Sequence, residues 1–204
     1  MRPCRVVVLV SGGGSNLAAL LAATADPDYG AQIVAVGADR AETGGQRLAE
    51  DAGIATFVER VADYPTRAAW DLALTEAVAA VDPDLVVSAG FLKLLGPRFL
   101  SRFADRVVNT HNSLLPAFPG VSGPADALAY GVKVAGATLF FVDGGTDTGP
   151  IIAQTVVPVH PHDDLESLTE RIKVAERAQL VEQVGRLARE GWRIEGRRVH
   201  LGSG

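Results

Sequence analysis

Cysteine is nearly missing from this chain: its 204 residues contain one, Cys4. A disulfide framework and a zinc site built on thiolates are both excluded, and a reducing compartment is the natural setting. Cys4 also precedes the first strand-like run with no base beside it, so it is not read as a nucleophile. Long apolar runs are missing too. Val6–Val10 is too short to cross a bilayer, or to form a signal-peptide core with its cleavage site. A cytoplasmic protein with no membrane partner is expected. Basic residues are outnumbered, 19 Lys and Arg against 24 Asp and Glu, for a net charge of -5. Such a surface releases few phosphate counterions, so no nucleic-acid partner is expected and any phosphate must be gripped locally. No internal repeat, low-complexity tract or interdomain linker interrupts the chain. What remains, 48% hydrophobic and 21% charged residues, fits one compact domain with a sizeable core.

Val6–Val10 is a β-branched run closed by glycines, the pattern of a strand buried on both faces of a parallel sheet. A helix over about Asn16–Ala25 follows, then a strand over Ile33–Val36, a helix over Thr43–Ala52 stopped at Gly53, and a short strand around Thr56–Val58. Tyr64-Pro65 introduces a helix carrying Ala68, Leu72, Leu74 and Val78 that ends at Asp82-Pro83, and Leu85–Val87 is another buried strand. Val107-Val108 is the next strand. Ala137–Val142 and Ile151–Val157 read as two more, joined through the turn at Gly144-Gly145. Asp163, with Glu166 three residues on, predicts the start of a long amphipathic helix through Leu165, Leu168, Ile172 and Ala175, which Gly191 ends. The basic stretch Arg193–Arg198 reads as a solvated edge. The rhythm predicts an α/β fold: a Rossmann-like, mostly parallel twisted sheet with helices on both faces, in a single domain over residues 1–204.

Two segments carry chemistry. Asn109 and His111 stand at i and i+2 after the β-branched pair, so an amide and an imidazole share one face of an extended segment. An amide N–H can donate to a carbonyl oxygen becoming an oxyanion, and an imidazole can move the proton an attacking amine must lose. Asp147, in a glycine-rich turn, supplies a carboxylate able to orient that imidazole. Strand, then Ser11-Gly12-Gly13-Gly14-Ser15-Asn16, then helix outlines an anion site, where glycines permit close approach and free N–H groups and the helix dipole favour a phosphate. Walker A chemistry lacks its Lys after the last glycine. The dinucleotide fingerprint fails because Leu17 occupies its third glycine position, although Asp39 could imitate the ribose-binding acid of such a fold. A non-catalytic nucleotide-binding module is therefore the rival reading, and it leaves Asn109, His111 and Asp147 unexplained.

Asn109–Pro116, prolonged by Ala117-Phe118-Pro119-Gly120, together with Ser11–Leu17, resembles the folate-dependent formyltransferases over about Arg5–Glu176. Within that family the glycine loop and the Leu-Pro-x-Phe-Pro-Gly ending resemble the branch that formylates glycinamide ribonucleotide. The resemblance implies transfer of a formyl group from 10-formyltetrahydrofolate, as cosubstrate, to the amine of that ribonucleotide in purine biosynthesis. No metal and no covalent enzyme intermediate are implied. Catalysis would fall to Asn109, His111 and Asp147, with the ribonucleotide on Gly13, Gly14, Ser15, Asn16 and Glu176. Arg67, Phe91, Leu92, Lys93, Leu94, Val142 and Asn109 would contact the reduced folate. Lys93, where the family often has Arg, would meet the glutamate carboxylates, with Arg67 the weaker choice for that task. Taken alone, Glu176 reads as a solvated helix charge, and Leu94 and Leu95 as core. Residues of about 1–100 would form the nucleotide- and phosphate-binding half, and those of about 101–204 the catalytic and folate-binding half.

Relatives that hydrolyse formyltetrahydrofolate carry an N-terminal regulatory domain, and those acting on methionyl-tRNA add a C-terminal RNA-binding domain; neither is expected here. Sugar-nucleotide formyltransferases differ at Phe118-Pro119-Gly120. A monomer or homodimer is compatible with everything above. The chain departs from the family at Asn112, where Pro is usual, and at Ser122 and Phe140, where histidines are usual. Two imidazoles expected close to the aspartate are thus replaced, which keeps another amine acceptor open. His160, His162 and His200 match no motif and are given no chemistry.

Overall fold

A computed structural model describes residues 2–202. Strand β1 (Cys4–Val10) is an inner strand of a seven-stranded sheet, third from one edge, and Cys4 is its first residue rather than a residue before it. Successive side chains of a strand point to opposite faces, and both faces here are covered. Val6, Val8 and Val10 pack with Leu17 and Leu20 of α1 (Ser15–Thr24) and with Leu180, Val184 and Leu187 of α6 (Leu165–Glu190). Val7 and Leu9 pack on the other side with Trp70, Leu74 and Val78 of α3 (Arg67–Ala79) and with Phe99 and Phe103 in and just after α4 (Pro97–Arg102). A continuous β-branched run thus feeds two cores at once, which is why it reads without polar alternation.

The remaining strands are β2 (Ala31–Ala38), β3 (Ala55–Val58), β4 (Leu85–Ser88), β5 (Val107–His111), β6 (Val134–Phe141) and β7 (Ile151–Pro158), in spatial order β3-β2-β1-β4-β5-β6-β7. β1 to β5 run parallel, and β6 and β7 are antiparallel additions beyond β5. From β1 the chain winds outward to β2 and β3, then returns to place β4 on the other flank of β1. The loops after β1 and β4 therefore splay in opposite directions and leave a crevice at the carboxyl ends of the strands, where open α/β sheets bind ligands.

The Rossmann-like expectation holds, with four corrections of detail. Asp164, not Asp163, caps α6, in a reciprocal box with Ser167. Asp163 is taken instead by Arg171, at 2.7 and 2.8 Å, and by the His160 amide. α4, six residues long, carries too few turns for a periodic signal, and α5 (Gly123–Tyr130) lacks the side-chain cap that marks α2 (Gly44–Asp51), which is equally short. The charged side chains of Arg193–Arg198 are exposed, as a solvated edge should be, but the stretch belongs to a two-stranded hairpin, β8 (Trp192–Glu195) and β9 (Arg198–Leu201), whose Trp192, Ile194, Val199 and Leu201 pack on the first core. Leu94 is not core: it is 68% exposed, while Leu95 does pack against the second core. Among the described residues no helix is long and apolar enough to cross a membrane.

Candidate active site

Two loops frame the crevice. In the one after β1, Gly14 has φ of 79° and precedes α1 without any side-chain cap. The first N–H groups of that helix therefore have no side-chain partner, the arrangement in which helix N-termini can bind anions. A Cβ on Gly14 would stand 2.7 Å from the Gly45 backbone, because this loop packs on the start of α2 (Gly44–Asp51), where Gly45 N donates to Gly12 O at 3.1 Å. Gly44 and Gly45 escaped the sequence reading. Their requirement comes from a contact more than thirty residues away in sequence.

The loop after β4 turns at Gly90, whose φ is 77°, and is pinned to the first loop twice. Ser11 N donates to Gly90 O at 3.2 Å, and Leu92 N donates to Ser11 Oγ at 2.8 Å. Farther along, Arg67 stacks on Trp70 at 4.2 Å and donates to Leu94 O. Lys93 is seated on Asp39, Nζ to Oδ2 2.6 Å. That position removes Asp39 from the role of a ribose-binding acid. Burial pushes the Asp39 carboxyl upward, but hydrogen bonds from Arg40, Lys93 and Ser11 outweigh it and hold the group below its ordinary range.

Between these loops β5 delivers Asn109, Thr110 and His111 to the sheet's open end, paired with Phe140, Leu139 and Thr138 of β6. Among the described residues none accepts a hydrogen bond from the Asn109 carboxamide, in contrast to Thr110 and His111 beside it. Thr110 points the other way, as alternation requires, and donates to Glu176 Oε1. Asn16 Nδ2 donates to the same oxygen at 2.9 Å. Glu176 is 6% exposed, so it is no solvated charge but a carboxylate drawn inside between the glycine loop and the strand end. Two donors compensate part of its desolvation.

His111 is also buried, and its Nε2 lies 2.7 Å from Phe118 O. A carbonyl only accepts, so Nε2 carries hydrogen and the neutral ring keeps its lone pair on Nδ1. That lone pair faces Asp147 Oδ2 at 3.7 Å, too long for a direct hydrogen bond. Asp147 instead accepts from Gly120 N at 2.7 Å, tying its loop to the end of the Leu-Pro-x-Phe-Pro-Gly segment. Two proton acceptors facing one gap make a place for a group with hydrogens to give.

The Ser113–Leu115 turn and the Asp147 loop are both braced from behind. The Thr138 hydroxyl donates to Ser113 O at 2.7 Å and accepts from Leu115 N and Gln154 Nε2 at 3.0 and 3.1 Å, which fills its capacity. Gln154 also donates to Leu115 O. Asp147 has φ of 55°, and Arg197 at the tip of the C-terminal hairpin donates to Thr148 O at 2.9 Å and Gly149 O at 3.3 Å. Nothing in the local sequence marks Thr138, Gln154 or Arg197, since each acts through contacts closed only by tertiary structure.

A cavity of about 380 Å³ joins these parts, lined by Asn109, Thr110, His111, Asn112, Asp147 and Glu176 and by the wall of Phe91, Leu92, Lys93, Leu94 and Val142. Leu92 and Leu94 stand 68% exposed there, an apolar surface without an internal partner. Gly13, Gly14 and Ser15 do not line the cavity, and Asn16 reaches it only through Glu176. Arg67 is exposed and does not line the cavity. Of the departures from the family, Phe140 and Asn112 line the cavity, whereas Ser122 lies on an adjoining groove, so the two replaced positions do not share one place. The described residues contain no cluster of three or more His, Cys, Asp and Glu able to hold a metal ion.

The sequence model of the formyl transferase family matches residues 4–184. The chain belongs to that family. Phosphoribosylglycinamide formyltransferase of Mycobacterium tuberculosis H37Rv is 58% identical over 200 residues, 98% of this chain and 92% of that one. The trifunctional purine biosynthetic protein adenosine-3 of Drosophila melanogaster is 44% identical over 174 residues, 84% of this chain and 13% of that protein. Among solved structures, glycinamide ribonucleotide transformylase 1 of Symbiobacterium toebii superposes with a TM-score of 0.95 at 40% identity, covering 99% of this chain and 95% of that one. The family match ends within α6, so the hairpin carrying Arg197 lies outside it.

Proposed function

We propose that this protein transfers the formyl group of 10-formyltetrahydrofolate to the amine of glycinamide ribonucleotide, a step of purine biosynthesis, in the cytoplasm. One observation carries the reading. A single cavity holds an uncommitted amide, an imidazole and a carboxylate beside Glu176 and an exposed apolar wall, and Glu176 is in turn bonded to Asn16 of the glycine loop.

In this reading the ribonucleotide phosphate rests on the N–H groups of Gly13, Gly14, Ser15 and Asn16, and Glu176 accepts from the ribose hydroxyls. The folate ring system lies along Phe91, Leu92, Leu94 and Val142. The amine attacks the formyl carbon, forming the new C–N bond, while the carbonyl oxygen becomes an oxyanion that receives a hydrogen bond from Asn109. The amine nitrogen sheds its proton toward His111 Nδ1 and Asp147, the two acceptors facing the gap. Collapse breaks the bond to N10 of the folate, which takes up that proton as tetrahydrofolate leaves. Every residue used comes from one chain, and monomer and homodimer both accommodate it.

Incubation with both substrates near neutral pH should give formylated ribonucleotide and tetrahydrofolate in equal amounts. Formate release in place of formylated product would assign the cavity to hydrolysis. Transfer to another amine is favoured by one feature, the apolar Phe140 opposite Asn109; its mark would be binding of both ligands with no product until a different amine is supplied.

A further inference from the structure

Lys93 lies on the wall of the cavity, yet its ammonium is turned onto Asp39. The pair is lopsided: the Lys93 side chain is 28% exposed and the Asp39 side chain 1%. Asp39 follows β2, and Arg40 binds it as well, Nε to Oδ1 at 3.2 Å and Nη2 at 3.3 Å to Oδ2, the oxygen on which Lys93 sits. One strand over, Ser11 accepts from Leu92 N, the residue before Lys93. A buried carboxylate and a buried hydroxyl from two neighbouring strand ends thus grip adjacent residues of the wall. Leu92 and Leu94, on either side of Lys93, are the side chains left projecting. The Arg40 side chain is 55% exposed and its contacts are the longer ones, so Lys93, at 2.6 Å, is the closer and better shielded of the two cations on the buried carboxylate.

We propose that Lys93 is a positioning residue: seated on Asp39, it fixes the apolar wall against the glycine loop and sets the width of the folate site, rather than meeting the folate glutamate carboxylates. The proposal rests on the formyl-transfer reading, because that reading supplies the ligand. It separates from direct carboxylate recognition by one property. A clamp acts equally on every ligand that uses the wall, with or without a glutamate tail, and its two halves fail together.

The test is calorimetric binding of tetrahydrofolate, and of the corresponding tetrahydropteroate lacking glutamate, to the wild type, Lys93→Met, Asp39→Asn, the double variant and Lys93→Arg. Thermal melts accompany each to establish that it folds. We expect Lys93→Met and Asp39→Asn each to weaken both ligands about tenfold, the double variant to be no weaker than either single one, and Lys93→Arg to recover most of the loss. Weakening of the glutamate-bearing ligand alone by Lys93→Met, with Asp39→Asn near wild type, would overturn the clamp and make Lys93 a carboxylate ligand. Additive losses in the double variant, or unchanged binding in both single variants, would overturn it as well. A wild type that binds neither folate would instead remove the formyl-transfer reading and this inference with it.

Discussion

Replacing Asn16 by Asp changes one atom's chemistry and almost no volume, and the structure makes the consequence large. In the wild type Asn16 Nδ2 donates to Glu176 Oε1 at 2.9 Å, and Glu176 is buried. A hydrogen bond to a charged acceptor contributes about 1.5 to 3 kcal/mol, and Asn16→Asp removes it. The new carboxylate then stands about 3 Å from the old one, where two unit charges repel by roughly 5 kcal/mol at an effective dielectric near 20. Rearrangement, or a proton shared by the two carboxyls, relieves part of that. We expect the folded variant to lose about 3 kcal/mol at pH 8 and about 1 kcal/mol near pH 5. The direction with pH follows from linkage. The shared proton is bound more tightly in the folded variant than in its unfolded chain, so the stability it confers is intact below about pH 4 and lost as pH rises. On the proposed seating of the ribonucleotide phosphate at the glycine loop, the same carboxylate opposes it, so the Michaelis constant for the ribonucleotide should rise tenfold or more, while folate affinity stays within about twofold. Urea unfolding at pH 5 and pH 8, with steady-state kinetics in each substrate, measures all of this. Equal stability of variant and wild type at pH 8, or equal loss of affinity for both substrates, would refute the placement of Asn16 against Glu176.

Asn109→Ala and Asp147→Asn should each lower single-turnover formyl transfer by about a hundredfold or more with folding intact, the usual worth of one oxyanion donor or proton acceptor; near wild-type rates in both would remove them from the chemistry. Arg197→Ala releases the two carbonyls that follow Asp147 and should lower kcat about fivefold with both Michaelis constants unchanged, as expected of a group that only aims another; a rise in a Michaelis constant alone would contradict that. Burial, reinforced by Asp84, pushes the Cys4 thiol up to about 11 from 9.0, so alkylation at pH 8 should run about a hundredfold slower in the native chain than in urea. The stability this thiol lends is present below about pH 9 and lost as pH climbs toward 11; equal native and unfolded labelling rates would count against its burial.

The sequence alone determined whatever depends on near neighbours. Val6–Val10 and Leu85–Val87 announce strands covered on both faces, because a sheet between two helix layers needs apolar side chains at every position. Three glycines before Ser15 announce the loop, and the two-residue period of a strand puts Asn109 beside His111. Short elements were not legible: a six-residue helix such as α4 completes fewer than two turns and leaves no period to read. Neither was the choice among nearby acids. Asp163 and Asp164 are both competent caps, and only Arg171, eight residues on, decides which is free. The tertiary structure decided every partnership that spans the chain. Glu176 became a buried acceptor because α6 lays it across β5 and the glycine loop, 160 residues from Asn16. Lys93 faces Asp39, Leu94 stands exposed and Arg197 reaches the Asp147 loop for the same reason. A side chain's solvation and its ionic partner are set by what the fold carries to it, and no local pattern encodes that.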